Sequence, residues 1–226
     1  MSTHASYYQD SLYPLQDRCL AVLAGLETPF YLTGGTALSR EYLQHRYSDD
    51  LDFFCNNEPL FEKAVERIIR SLRDVFPDIA VGTTTPSFVR LFLRDEDVDL
   101  KVDLVNDVPF HVGEIQLGRI FPSIDNPMNI LSNKIAALAR SEAKDVADIL
   151  WISRAYTFDW ARIMEEAKRK DVWGDELDVS RVLAGFPVAA FKDIRWIEAP
   201  DLAACERDLR RIAEDLAFAR KNGLAH

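Results

Sequence analysis

From Val98 to Val105 the chain alternates: Val98, Leu100, Val102 and Leu104 interleave with Asp99, Lys101 and Asp103. A period of two describes a strand with one face in a core and the other outside it. Such a strand needs neighbours and a covering layer. Phe88 to Leu93 reads as a partner, and the acidic turn Asp95-Glu96-Asp97 suits a hairpin between the two. Phe30 to Leu32 and residues 51–55 are further strands, and a weaker one is expected at Gly113 to Phe121. The whole stretch from Ile79 to Val105 is read as three strands. Helices are expected at residues 6–26, about 36–44, and from Pro59 to just before Pro77.

After Pro127 the period changes. Helices are expected at about 127–140, 143–156, 159–171, 178–186 and 200–221, with connections at 153–158 and 187–199. Pro122, Asp125, Asn126 and Pro127 break the pattern between the two regimes. The chain therefore reads as an α+β protein: a mixed sheet with flanking helices over residues 1–125, then an all-α half over 126–226. Its 226 residues suit one large domain or two smaller ones, and a hydrophobic share of 48% can fill a core.

Several function classes lose ground at once. A net charge of −10 argues against a protein that coats nucleic acid by charge. Basic clusters such as Lys168-Arg169-Lys170 read first as solvated helix faces. Cys19, Cys55 and Cys205 are odd in number and widely spaced, which gives neither a disulfide framework nor a zinc site. No secretory leader and no long apolar run is seen, so a location in the reducing cytoplasm, with no membrane association, is expected.

The chemistry gathers in two runs, Thr33-Gly34-Gly35-Thr36 and Arg46-Tyr47-Ser48-Asp49-Asp50-Leu51-Asp52-Phe53-Phe54. Glycines between a strand and a helix let the backbone approach a ligand, and the free N–H groups of a helix start favour phosphate. Thr36 is a further hydroxyl donor there. An ordinary tight turn is the plain alternative. Asp50 and Asp52 are two apart, so on a strand they share a face while Leu51 and Phe53 turn to the core. Two adjacent carboxylates ask for a cation, and Mg²⁺ prefers such oxygens. Asp103 supplies a third carboxylate from a later strand, with Asp99 as its rival. Three aspartates on neighbouring strands are the ligand set for two metals about 3.5–4 Å apart. In the helical half, Lys134 is a point charge for phosphate, and Asp145 and Asp148 share a helix face. Trp151, Trp160, Trp173 and Trp196 either stack on a base or, more commonly, pack in a helical core.

The order Gly-Gly-Thr, Arg-x-Ser-x-Asp-Leu-Asp-Phe-Phe, Lys-Val-Asp-Leu, Asn-Lys-x-x-Ala-Leu-x-x-Arg, Lys-Asp-x-x-Asp resembles the AbiEii-type nucleotidyltransferases across roughly residues 28 to 155. These include toxins of type IV toxin–antitoxin and abortive-infection systems, and belong to the polymerase-beta-like superfamily; a housekeeping modifier is the alternative role. The resemblance implies a polymerase-beta-like core followed by a helical half. It implies transfer of a nucleoside monophosphate from an NTP to an acceptor such as the 3′ end of tRNA or another RNA, with Mg²⁺ or Mn²⁺. It also implies a separately encoded antitoxin. Residue by residue, it implies metal binding at Asp50, Asp52 and Asp103, and nucleotide binding at Gly34, Gly35, Thr36, Ser48, Lys134 and Asp145. It implies catalytic roles for the three aspartates with Lys134 and Asp148. Two rivals stand beside it: a phosphotransferase on the same fold, and a catalytically silent NTP-binding regulatory protein.

Overall fold

The structure is a computed structural model that describes residues 3–170 and 174–225. Trp173 lies outside the described residues. The chain divides into two units, Met1–Tyr42 with Tyr47–Asn126, and Leu43–Arg46 with Pro127–His226.

The first unit is a sheet with helices. Helix α1 (Thr3–Tyr7) runs through a wider turn, Tyr8–Leu12, into α2 (Tyr13–Ala24), whose Leu15, Cys19, Leu20 and Leu23 are buried. Pro14 stands in the first turn of α2, where its missing N–H costs nothing. Strand β1 (Tyr31–Thr33) ends at α3 (Gly34–Thr36), which winds on through Ala37–Leu43. Then come β2 (Leu51–Asn56), α4 (Phe61–Arg73), β3 (Asp78–Thr85), β4 (Phe88–Asp95) and β5 (Val98–Asp107).

The sheet order is β1-β2-β5-β4-β3. Only β2 and β5 pair in parallel, so the sheet is mixed. Alternation determines its faces. Leu51 and Phe53 of β2, Leu100, Val102 and Leu104 of β5, and Leu91 and Leu93 of β4 are fully buried on one side. Helices α2 and α4 cover that side with Leu20, Ile68 and Leu72. The expected hairpin between β4 and β5 forms, with Glu96 in the left-handed region at φ 52.

One expected strand is absent. Residues 113–121 carry only an isolated bridge, Gln116 to Ile124. Gly113 sits at φ +65, and Gly118 is pressed against the Phe121 carbonyl and the Ile124 side chain, so the run turns instead of extending. The edge beside β1 is taken by Ser123 and Asp125, which exchange backbone hydrogen bonds with Leu32 at 2.9 Å each.

The second unit is helical: α5 (Pro127–Ala136), α6 (Ala143–Ala155), α7 (Trp160–Lys168), α8 (Glu176–Gly185) and α9 (Leu202–Ala217). Helix α5 stops four residues short of the expected end, giving way to a tight turn at Leu138–Arg140 closed by Ser141 at φ 50. A second such turn, Val188–Asp193, occupies the expected connection after α8. Asp159, Asp175 and Asp201 cap α7, α8 and α9 by accepting from backbone N–H groups. Trp160 is fully buried, while Trp151 packs against Trp196 at a tilt of 31°, with ring centres 4.7 Å apart. No described helix is long and apolar enough to cross a membrane.

Candidate active site

The polar face of the sheet carries one row of polar and charged side chains. In register, Thr33 of β1 stands beside Asp52 of β2, Asp52 beside Asp103 of β5, and Asp103 beside Arg90 of β4. Asp50 lies just before β2 begins. The alternation that buries Leu51, Phe53, Val102 and Leu104 is what turns Asp52 and Asp103 to the opposite side.

The glycine turn is shaped around this row. Gly34 takes φ +68, and a Cβ at this position would collide with the Asp52 carboxylate. The Thr36 hydroxyl donates to the Asp50 carbonyl oxygen, so it braces the loop ahead of β2. Thr36 and Gly35 are both buried. Helix α2 holds the same loop from beneath: the Gln16 amide donates to the carbonyls of Ser48 and Asp49 at 3.1 and 3.2 Å. Arg40 locks Gln16 by donating to its Oε1 at 3.0 Å. Tyr8 donates to Asp49 and stacks on Tyr47, with ring centres 4.2 Å apart. Ser48 is buried within this frame.

Two cations neutralise the acidic row. Arg90 forks onto Asp103, with Nε to Oδ1 at 2.8 Å and Nη2 to Oδ2 at 2.7 Å. Lys101 Nζ lies 2.6 Å from Asp50 Oδ2 and 4.0 Å from Asp103 Oδ2. Sequence reasoning assigned neither a role. Lys101 was visible as a polar position on β5, but Arg90 faces Asp103 only through sheet register. Asp99, the rival third carboxylate, pairs with Arg94 on the same strand pair, and both side chains are more than half exposed.

Hard carboxylate oxygens on adjacent strands, opened by a glycine that leaves room for Asp52, suit a divalent cation chemically. They are not gathered for it. Among the described residues no group of three or more acidic, His or Cys side chains stands in a metal-holding arrangement. The reason is on the same face, since Asp103 is held by Arg90 and Asp50 by Lys101. The carboxylates of Asp50 and Asp52 fit Mg²⁺ chemically once Lys101 has left Asp50, while Arg90 still occupies both oxygens of Asp103.

Lys134, Asp145 and Asp148 form a separate cluster within the second unit, joined there by His45 and Arg46. Asp148 Oδ1 accepts from His45 Nε2 at 2.9 Å and Arg46 Nε at 2.7 Å. Its Oδ2 accepts from Arg46 Nη2 at 2.8 Å and lies 2.8 Å from Lys134 Nζ. Four donors fill the capacity of a carboxylate. Lys134 also donates to Asp145 Oδ1 at 2.6 Å. Burial works against the charge on Asp148, yet Arg46 and Lys134 outweigh it and hold its pKa well below the usual carboxylate range. Burial also acts against charge on Lys134, and Asp148 and Asp145 reverse that, so its pKa rises. Burial pulls the His45 pKa down despite its bond to Asp148. Its imidazole is therefore neutral near pH 7, with Nε2–H donating, and Nδ1 is buried without a hydrogen-bond partner among the described residues. His45 drew no attention in the sequence, because nothing local links it to a residue 103 positions away.

The family model described as the nucleotidyl transferase AbiEii toxin of a type IV TA system matches residues 18–221. An uncharacterised protein of Aquifex aeolicus (strain VF5) is 28% identical over 164 residues, spanning 66% of this chain and 69% of that protein. JHP933 from Helicobacter pylori superposes with a TM-score of 0.62 at 22% identity, covering 92% of this chain and 90% of its own. A candidate nucleotidyltransferase from H. pylori reaches 0.64 at 21% identity, covering 96% of each chain. At that identity the two structures share the fold with this chain.

Proposed function

This chain belongs to the AbiEii nucleotidyltransferase toxin family, and from that premise we propose that it moves a nucleoside monophosphate from an NTP to an acceptor hydroxyl, releasing pyrophosphate. The observation that supports the reading most is the direct register of Asp52 with Asp103 on parallel strands, beside a glycine that leaves room for the Asp52 carboxylate.

Asp50, Asp52 and Asp103 are the residues that hold Mg²⁺ or Mn²⁺ in this proposal. When bound, the cation supplies Lewis-acid polarisation of phosphate oxygens. Gly34 and Gly35 let the triphosphate pass close to the backbone, and Thr36 and Ser48 belong to the frame that sets Asp50. The family resemblance further implies phosphate binding by Lys134, which Asp145 and Asp148 hold within the second unit. In-line transfer of this kind rests on positioning and electrostatics, and needs little else from the protein. The acceptor is RNA, with the 3′ end of tRNA as the first to try. The partner is a separately encoded antitoxin, and the setting is the cytoplasm.

The test incubates the full chain with Mg²⁺, each α-³²P-labelled NTP and total tRNA, beside Asp52→Ala. Label on RNA with the wild type alone, together with released pyrophosphate, is the expected result. An NDP product would replace this reading with phosphoryl transfer. No labelled product with any nucleotide or acceptor would remove it.

A further inference from the structure

The acidic row binds two cations of its own before any ligand arrives, and they are held differently. Arg90 grips Asp103 through two parallel bonds, and the Asp103 side chain is only 9% exposed. Lys101 touches Asp50 by a single contact, with side chains 29% and 36% exposed. A planar fork on a nearly buried carboxylate is a fixed arrangement, whereas an ammonium on a flexible stem beside an exposed one exchanges readily.

Charge on this face has a consequence for a triphosphate. Arg90 is matched to Asp103 and Lys101 to Asp50, so a divalent cation arriving at Asp50 adds positive charge to the row for a triphosphate only if Lys101 stays within it. Lys101 is tethered within the row: its strand position is two from Asp103, and its ammonium is 4.0 Å from that carboxylate. Displaced from Asp50, it has a short way to travel to a new anion.

We propose that Lys101 is a placeholder cation that occupies Asp50 in the empty site and passes to a phosphate oxygen of the nucleotide when a divalent cation takes Asp50. The inference rests on the nucleotidyltransferase reading and adds a phosphate-binding residue to it. Lys101 therefore opposes metal binding in the absence of nucleotide and supports nucleotide binding in the presence of metal. Metal and nucleotide become linked, each raising affinity for the other by the same factor. The enzyme would hold little divalent cation at rest and acquire it with its substrate.

The two opposed effects give the test its signature. Calorimetry on the full chain measures the affinity for Mg²⁺ alone, then for inorganic triphosphate at saturating Mg²⁺, in wild type, Lys101→Met, Lys101→Gln and Asp50→Asn. Thermal melting checks that each variant is folded. The expected result is that Lys101→Met and Lys101→Gln bind Mg²⁺ alone about fivefold tighter and bind triphosphate about tenfold weaker. A residue that merely stabilised the sheet would move both affinities the same way, and that outcome overturns the proposal. Unchanged Mg²⁺ affinity in both Lys101 variants, with Mg²⁺ lost in Asp50→Asn, keeps the nucleotidyltransferase reading and removes the placeholder. Absence of Mg²⁺ and triphosphate binding in the wild type removes both.

Discussion

The protein has two sets of aspartates facing basic side chains, one in each unit. On the sheet face, Asp50 and Asp103 meet Lys101 and Arg90 at the edge of solvent. Around α6, Asp148 meets His45, Arg46 and Lys134 with no exposure of its own. In the first set Lys101 is exchangeable on Asp50, a partly exposed pair worth only about 0–1 kcal/mol, while Arg90 stays forked on the nearly buried Asp103. The second is committed, because removing a cationic partner leaves the buried Asp148 charge short of compensation. The same residue type is thus partly open to solvent in one place and fully enclosed by its partners in the other.

The comparison is broken most directly by deleting its buried member. Asp148→Ala takes from Arg46 and His45 the carboxylate they share and leaves Lys134 with Asp145, and should cost about 3–5 kcal/mol of stability. Urea denaturation measures this, and a midpoint equal to wild type would dissolve the contrast. Asp52→Asn should behave in the opposite way. Transfer should fall at least about 100-fold, the loss of several kcal/mol of charge stabilisation, with little change in melting temperature. Gly34→Ala tests the junction of turn and carboxylate. It forces a side chain onto φ +68 and into Asp52, so about 1–3 kcal/mol of stability should go together with activity.

A milder probe is acidity. The ordinary imidazole value is 6.5, and burial sets His45 below it. The unfolded chain then takes up this proton first as pH falls. Stability from this site is intact above about pH 6.5 and declines as pH drops from there toward the folded value. Asp148, whose folded pKa lies well below 3.8, gives way only in a more acid window. Melting curves between pH 7.5 and 5 should slope downward for wild type, and less so for His45→Gln. The smallest effect belongs to Asp99→Asn. Its partner Arg94 is exposed, so neither transfer nor melting temperature should change. A strong loss of transfer would put Asp99 in the place of Asp103 as the third carboxylate.

How far the sequence carried these conclusions follows from what is local. The strands β2 and β5 were legible because alternation in Leu51–Phe53 and Val98–Val105 states which side chains share a face. The family resemblance followed from motif order. Register was not legible. Nothing near Arg90 says that Asp103 will be its neighbour, since that pairing comes from β4 packing beside β5. The run 113–121 reads as extended by composition, but two glycines and Pro122 make it turn. The length of α5 was overestimated because Ala137 to Arg140 has helical composition, while the left-handed Ser141 ends the winding. His45 drew no attention, and Arg46, although part of the motif, was given no role, for the most general reason. They sit beside the Ser48–Asp50 loop in sequence, yet their partner is more than a hundred residues downstream.

That last separation bears on how the chain can be made and divided. The segment Leu43–Arg46 belongs to the second unit although it is synthesised with the first. On a ribosome, Arg46 emerges long before Asp148, and the salt bridge waits for some hundred residues of chain. A fragment beginning at Pro127 would carry Asp148 and Lys134 without the guanidinium that completes their cluster. The helical half is thus contiguous in sequence but discontinuous as a folding unit. A cut at residue 126 would remove one segment of its support.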